Sequence, residues 1–122
     1  MSTPALNREE LVQLLDGNPK LILTIIDSFL EDCSDYMESI RYAVDEGDGK
    51  VLEREAHGLK GAAGSLRAGP ASKAAQELEE MGHTDNFSGA ESALETLEHE
   101  VDRLKEELHS LRETCQEKSL GG

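Results

Sequence analysis

The chain has no tryptophan, and its aromatic residues are two phenylalanines and two tyrosines among 122 positions. A core must therefore come from Leu, Ile, Val, Ala and Met, and aliphatic cores of that kind are built from amphipathic helices. Basic residues are scarce, 12 against 26 acidic ones, for a formal net charge of −14. Phosphate backbones and anionic lipid repel such a chain, which excludes nucleic acid and membrane surfaces as partners. No apolar run approaches the roughly 20 residues that span a bilayer. Met1-Ser2-Thr3-Pro4 shows no basic region followed by an apolar stretch, so no signal peptide is read and a cytoplasmic location is expected. Cys33 and Cys115 make no metal-ligand spacing with each other or with a histidine, and without an export signal no disulfide is expected.

What is present is helical punctuation. The length suits one domain, residues 1–122, and each of the three prolines stands beside a helix start. Thr3-Pro4 opens a first segment, about 4–16, that closes at Asp16-Gly17. Asn18-Pro19 opens a second, about 19–46, with apolar residues at Ile22, Ile26, Phe29, Cys33, Tyr36 or Met37, Ile40 and Val44. Asp48 caps a third, about 49–67, whose stripe is Leu52, Ala56, Leu59, Ala63 and Leu66. Gly69-Pro70 opens an alanine-rich fourth, about 70–81, stopped by Gly82. After a loop from His83 to Phe87, Ser88-Gly-Ala-Glu91 reads as a capping box. It starts a fifth segment, about 89–115, with a stripe of Leu94, Leu97, Val101, Leu104, Leu108 and Leu111.

Spacings of three and four throughout, with no strand-like alternation, predict an all-α fold. Short connections make it an up-and-down four-helix bundle with an additional short N-terminal helix. The strict heptad of the fifth segment also fits a parallel coiled-coil seam, in which Glu100 and Glu107 would face Lys105 and Arg112. A partner for that seam inside the bundle makes the chain a monomer.

The third segment departs from good helix composition, and function is sought there. Gly58, Gly61 and Gly64 interrupt a helix interior, where each glycine costs up to about 1 kcal/mol relative to alanine. At about 100° per residue, with the apolar stripe near 0°, His57 falls at about 140°, Lys60 at about 80°, Gly61 at about 180° and Gly64 at about 120°. All four lie off the core stripe. The result is a lone imidazole on a flattened strip with an ammonium group one turn away. A partner backbone can approach such a strip closely. A neutral imidazole is a competent nucleophile near pH 7, and phosphoryl transfer needs alignment and charge stabilisation, which Lys60 can supply as a point charge. His83, His99 and His109 have no such clearing around them and read as solvated residues.

Ala56-His-Gly-Leu-Lys-Gly-Ala-Ala-Gly-Ser-Leu66 resembles the signature of histidine-containing phosphotransfer (Hpt) domains. Phe29-Leu30-Glu31-Asp32, Glu46-Gly47-Asp48 and Leu78-Glu79 extend the likeness over most of the chain. The resemblance implies a phosphocarrier with no ATP site or cofactor of its own, phosphorylated on His57. It assigns Lys60 as the phosphate-proximal cation and Gly61 and Gly64 as clearance for docking. It implies response-regulator receiver domains and hybrid sensor kinases as partners, with Mg2+ held by the receiver. Two positions depart from the pattern: Arg67 stands where the family commonly has glycine, and Gly58 replaces a residue such as threonine. The competing reading is a non-catalytic helical adaptor or coiled-coil module in which His57 is incidental. A histidine kinase would need a nucleotide-binding domain, for which no segment has the length or the glycine-rich pattern.

Overall fold

The computed structural model describes residues 3–121, which form five helices: α1 Arg8–Leu14, α2 Pro19–Glu46, α3 Gly49–Ser65, α4 Gly69–His83 and α5 Ala90–Gly121. Helices α2 to α5 close a ring in which α2 meets α3, α3 meets α4, α4 meets α5 and α5 returns to α2. This is the all-α, up-and-down four-helix bundle expected, with α1 added at one end.

The expected caps form at two starts. The Asn18 side chain accepts from the amides of Lys20 and Leu21 at 3.1 and 3.2 Å, with Pro19 in the first turn. Asp48 accepts from the Val51 amide at 3.1 Å. Such caps hold amides that have no partner within the helix. Gly47 at φ 68° ends α2 in the left-handed conformation that glycine adopts without strain.

Several boundaries differ from expectation, each for a local reason. Helix α1 begins at Arg8, not at Thr3-Pro4, because Asn7 is the residue that caps it, accepting from the Glu10 amide at 3.1 Å. The preceding Ala5 and Leu6 are buried, and the Asn7 amide donates to the Arg67 carbonyl at 2.9 Å. The segment is thereby pinned to the α3–α4 turn instead of coiling into a helix. Ser88 and Glu91 form no capping box among the described hydrogen bonds; Asn86 accepts from the Ser88 amide, and Gly89 at φ 81° precedes the helix. Helix α5 runs past residue 115 along a polar stretch that contains no breaker before Gly121.

Helix α4 passes through Gly82 to His83. A Cβ on Gly82 would stand 2.5 Å from the Glu53 amide nitrogen and 2.7 Å from the Gly49 carbonyl oxygen. Gly82 is therefore where two backbones cross, and its lack of a side chain serves packing rather than termination. Helix α3 stops at Ser65, two residues early, and Arg67 takes a left-handed φ of 66°. That conformation costs a non-glycine residue about 1–2 kcal/mol. The Arg67 carbonyl accepts from Asn7, and its guanidinium donates to the Gly64 carbonyl at 3.2 Å and pairs with Glu10 at 2.7 Å. Arginine thus occupies the glycine position by tying the turn to α1.

The core is aliphatic, as the composition requires, and among the described residues no polar or charged side chain is buried. Leu94, Leu97, Val101, Leu104, Leu108 and Leu111 are all at most 3% exposed within this one chain, filled by α2 and α4. The heptad stripe of α5 is consumed inside the bundle, so no seam is left open for a coiled-coil partner. Cys33 and Cys115 are free and buried, and burial pushes both thiols up, away from nucleophilic use. No helix of the described residues is long and apolar enough to cross a membrane.

Candidate functional site

Helix α3 buries Leu52, Ala56, Leu59 and Ala63 and turns His57 outward, its side chain 67% exposed. The imidazole is nevertheless held. Its Nδ1 lies 2.7 Å from Glu79 Oε2 of α4, and Lys60 Nζ lies 2.6 Å from the other oxygen of the same carboxylate. Because an ionised carboxylate only accepts, Nδ1 carries a proton, and in the neutral ring the lone pair is then on Nε2. The hydrogen bond from Lys60 holds the Glu79 carboxyl below the usual carboxylate range; partial burial opposes this and His57 adds to it. A carboxyl depressed in the folded state stabilises the fold once ionised, so this contribution is present at neutral pH and fades as pH falls through the lowered value.

The four residues expected from sequence are brought together, though not on identical terms. Gly61 is exposed, and a Cβ there would meet nothing within 4 Å. Gly64 is half-buried, its nearest neighbour for a Cβ being Ser72 Oγ at 3.6 Å. It borders an open concavity shared with Asn7, Arg67 and Ser72 rather than bare solvent. Lys60 points toward α4 and is engaged by Glu79, while Ser72 Oγ donates to the Lys60 carbonyl at 3.0 Å. Gly58 belongs to neither group: a Cβ there would stand 2.6 Å from the Tyr36 ring of α2, so it is a packing glycine.

Gly61→Ala tests the open strip directly. With no neighbour to strike, the methyl should raise helix stability by about 0.5–1 kcal/mol, seen as a higher urea midpoint at unchanged slope. A lower midpoint would mean that another element covers this face.

Glu79 is the site residue that sequence reasoning did not single out. It formed part of the likeness to a family, but no periodicity links position 79 to 57. His83 likewise differs from the solvated loop residue expected. It ends α4 with Nδ1 2.7 Å from Glu53 Oε2, while remaining 67% exposed. The antiparallel α3 and α4 thus carry the same pattern, Glu53 with His57 and Glu79 with His83, each glutamate serving the other helix's histidine.

A model of the Hpt domain family matches residues 24–116 of this sequence, three quarters of the chain. The chain belongs to the Hpt domain family. The crystal structure of histidine-containing phosphotransfer protein B (HptB) from Pseudomonas aeruginosa PAO1 shares the fold with a TM-score of 0.85, at 24% sequence identity. The match covers 93% of this chain and 98% of that one. No curated protein matches the sequence significantly. Membership of the Hpt family gives the chain a phosphotransfer role in phosphorelays, as a carrier rather than a catalyst, among receiver and kinase proteins.

Proposed function

We propose that this chain is a cytoplasmic, monomeric phosphocarrier that accepts a phosphoryl group on His57 from a receiver-domain aspartate and passes it to another receiver. The observation that carries the reading is the His57–Glu79–Lys60 arrangement beside open Gly61: an imidazole held at one nitrogen and free at the other, on a face cleared for approach. In the forward step Nε2 bonds to phosphorus as the acyl-phosphate P–O bond breaks and the aspartate leaves as carboxylate. The Nδ1 proton stays between imidazole and Glu79, so the ring carries the phosphoryl group in a form ready to leave again. Lys60, already beside the ring, steadies the phosphoryl oxygens as they develop charge, and Mg2+ would come with the receiver. The return step is the reverse, onto a second receiver.

Incubation with a set of phosphorylated receiver domains from the same cell tests the reading. Rapid loss of label from one or more receivers, with acid-labile label appearing on this chain, is expected. Spontaneous decay rates across the whole set would support the adaptor reading.

Glu79→Ala should slow transfer roughly tenfold, by analogy with the loss of the hydrogen-bonded partner that orients a metal-ligating histidine. The fold should persist, since partly exposed ion pairs contribute about 1 kcal/mol or less. Nitrogen NMR of the His57 ring checks the cause: a proton held on Nδ1 in the parent chain, and a shift toward the Nε2-protonated tautomer in the variant. An unchanged tautomer would remove Glu79 from this role.

A further inference from the structure

Gly58 follows His57 in α3 with an ordinary helical φ, so its backbone does not require glycine. What a side chain there would meet is Tyr36. A Cβ on Gly58 would stand 2.6 Å from Tyr36 Cε1, and 2.9 Å from both Cζ and the hydroxyl oxygen. The outer edge of the ring, hydroxyl included, therefore rests on the α-carbon next to the acceptor histidine. Any side chain at position 58 would push it away.

Tyr36 is half-buried, and among the described residues its hydroxyl makes no hydrogen bond. A ring fixed by packing that leaves its polar tip unpaired is the arrangement enriched where proteins meet partners, because it offers area and a donor at low entropic cost. Its place sharpens the point. Lys60 and Glu79 bound the His57–Gly61 strip on the α4 side, and Tyr36 bounds it on the α2 side. Beyond it, between α1, α2 and α3, lies a shallow apolar groove of about 210 Å3 lined by Leu14, Ile25, Phe29 and Leu66.

We infer that Tyr36 is a specificity-determining contact for the docked receiver, held in place by Gly58. The inference rests on the phosphocarrier reading of His57. Transfer brings phosphorus to within about 3–3.5 Å of Nε2, so a receiver must close over the strip at the level of His57. A side chain seated on the next residue then lies in its footprint. Tyr36 does not touch the reacting atoms in this account; it selects and seats the partner.

Two donors separate seating from chemistry. Phosphoramidate labels an exposed imidazole without docking, whereas a phosphorylated receiver must dock. Tyr36→Phe keeps the ring on Gly58, and Tyr36→Ala removes it. Phosphoramidate labelling of His57 should stay within about twofold in both variants. The half-saturating receiver concentration should rise roughly threefold in Tyr36→Phe, the order of one hydrogen bond, and tenfold or more in Tyr36→Ala, at nearly unchanged maximal rate. A rise in Tyr36→Ala alone assigns the contact to the ring and supports the inference. Unchanged half-saturation in both variants overturns it, as does a fall in phosphoramidate labelling equal to the fall in receiver transfer. Failure of the parent chain to take label on His57 from either donor would refute the carrier reading itself, and the inference with it.

Discussion

His57→Gln should carry no acid-labile phosphate from any donor receiver, while melting within a few degrees of the parent chain. The side chain is exposed, and its pairing with Glu79 contributes little to stability, so glutamine removes the nucleophile and almost nothing else. The test is sharp because His83 is a geometric twin, equally exposed and held at the same Nδ1 distance by Glu53. What differs is the surroundings. His83 sits at a concavity bordered by Glu46, Asp48, Glu53 and Asp85, with Lys50 as its one cation, an acidic environment that disfavours a phosphoryl group. His57 has Lys60 against the carboxylate that holds it and open Gly61 one turn on. Label appearing on His83 in the variant would show that a held, exposed imidazole is sufficient and that the cation and the cleared strip are not needed.

The largest effect on stability is expected at Gly82→Ala, where two forces oppose each other. Helix propensity favours alanine by about 1 kcal/mol. The added Cβ, however, would stand 2.5 Å from the Glu53 amide nitrogen, 2.7 Å from the Gly49 carbonyl oxygen and 3.0 Å from the Glu53 α-carbon. These are backbone atoms of a neighbouring helix, which cannot rotate aside as a side-chain tip can, so α3 and α4 must separate locally. Overpacking of that kind should lower stability by about 2–3 kcal/mol net and the melting temperature by roughly 10 °C. It should also weaken the His83–Glu53 contact next to it. Gly82→Ala and Gly61→Ala should therefore shift the urea midpoint in opposite directions, although both replace a glycine within a helix.

That pair of glycines shows what a sequence can and cannot carry. Helix number, order and buried faces follow from spacings of three and four, and every stripe leucine of α3, α4 and α5 is buried. The placement of His57, Lys60 and Gly61 off the core also follows from a wheel, because it concerns one helix at a time. Whether a glycine ends a helix, clears a surface or admits a neighbour depends on what lies across from it. Gly82 reads from sequence as a stop and is a crossing; Gly58 reads only as a helix-interrupting glycine beside His57 and is the seat of Tyr36. Glu79 escaped notice for the same reason, since its partner is 22 positions away on another helix. The departure at Arg67 is also a question of context. A left-handed arginine is tolerated because Asn7, Gly64 and Glu10 each hold part of it.

The most direct measurement loads the nitrogen-15-labelled chain from a phosphorylated receiver domain and reads phosphorus–nitrogen coupling by NMR under alkaline conditions. The account predicts a single phosphorus, coupled to Nε2 of His57, with Nδ1 of the same ring uncoupled. Phosphorus on Nδ1 of His57, on His83, or on no histidine at all would contradict it.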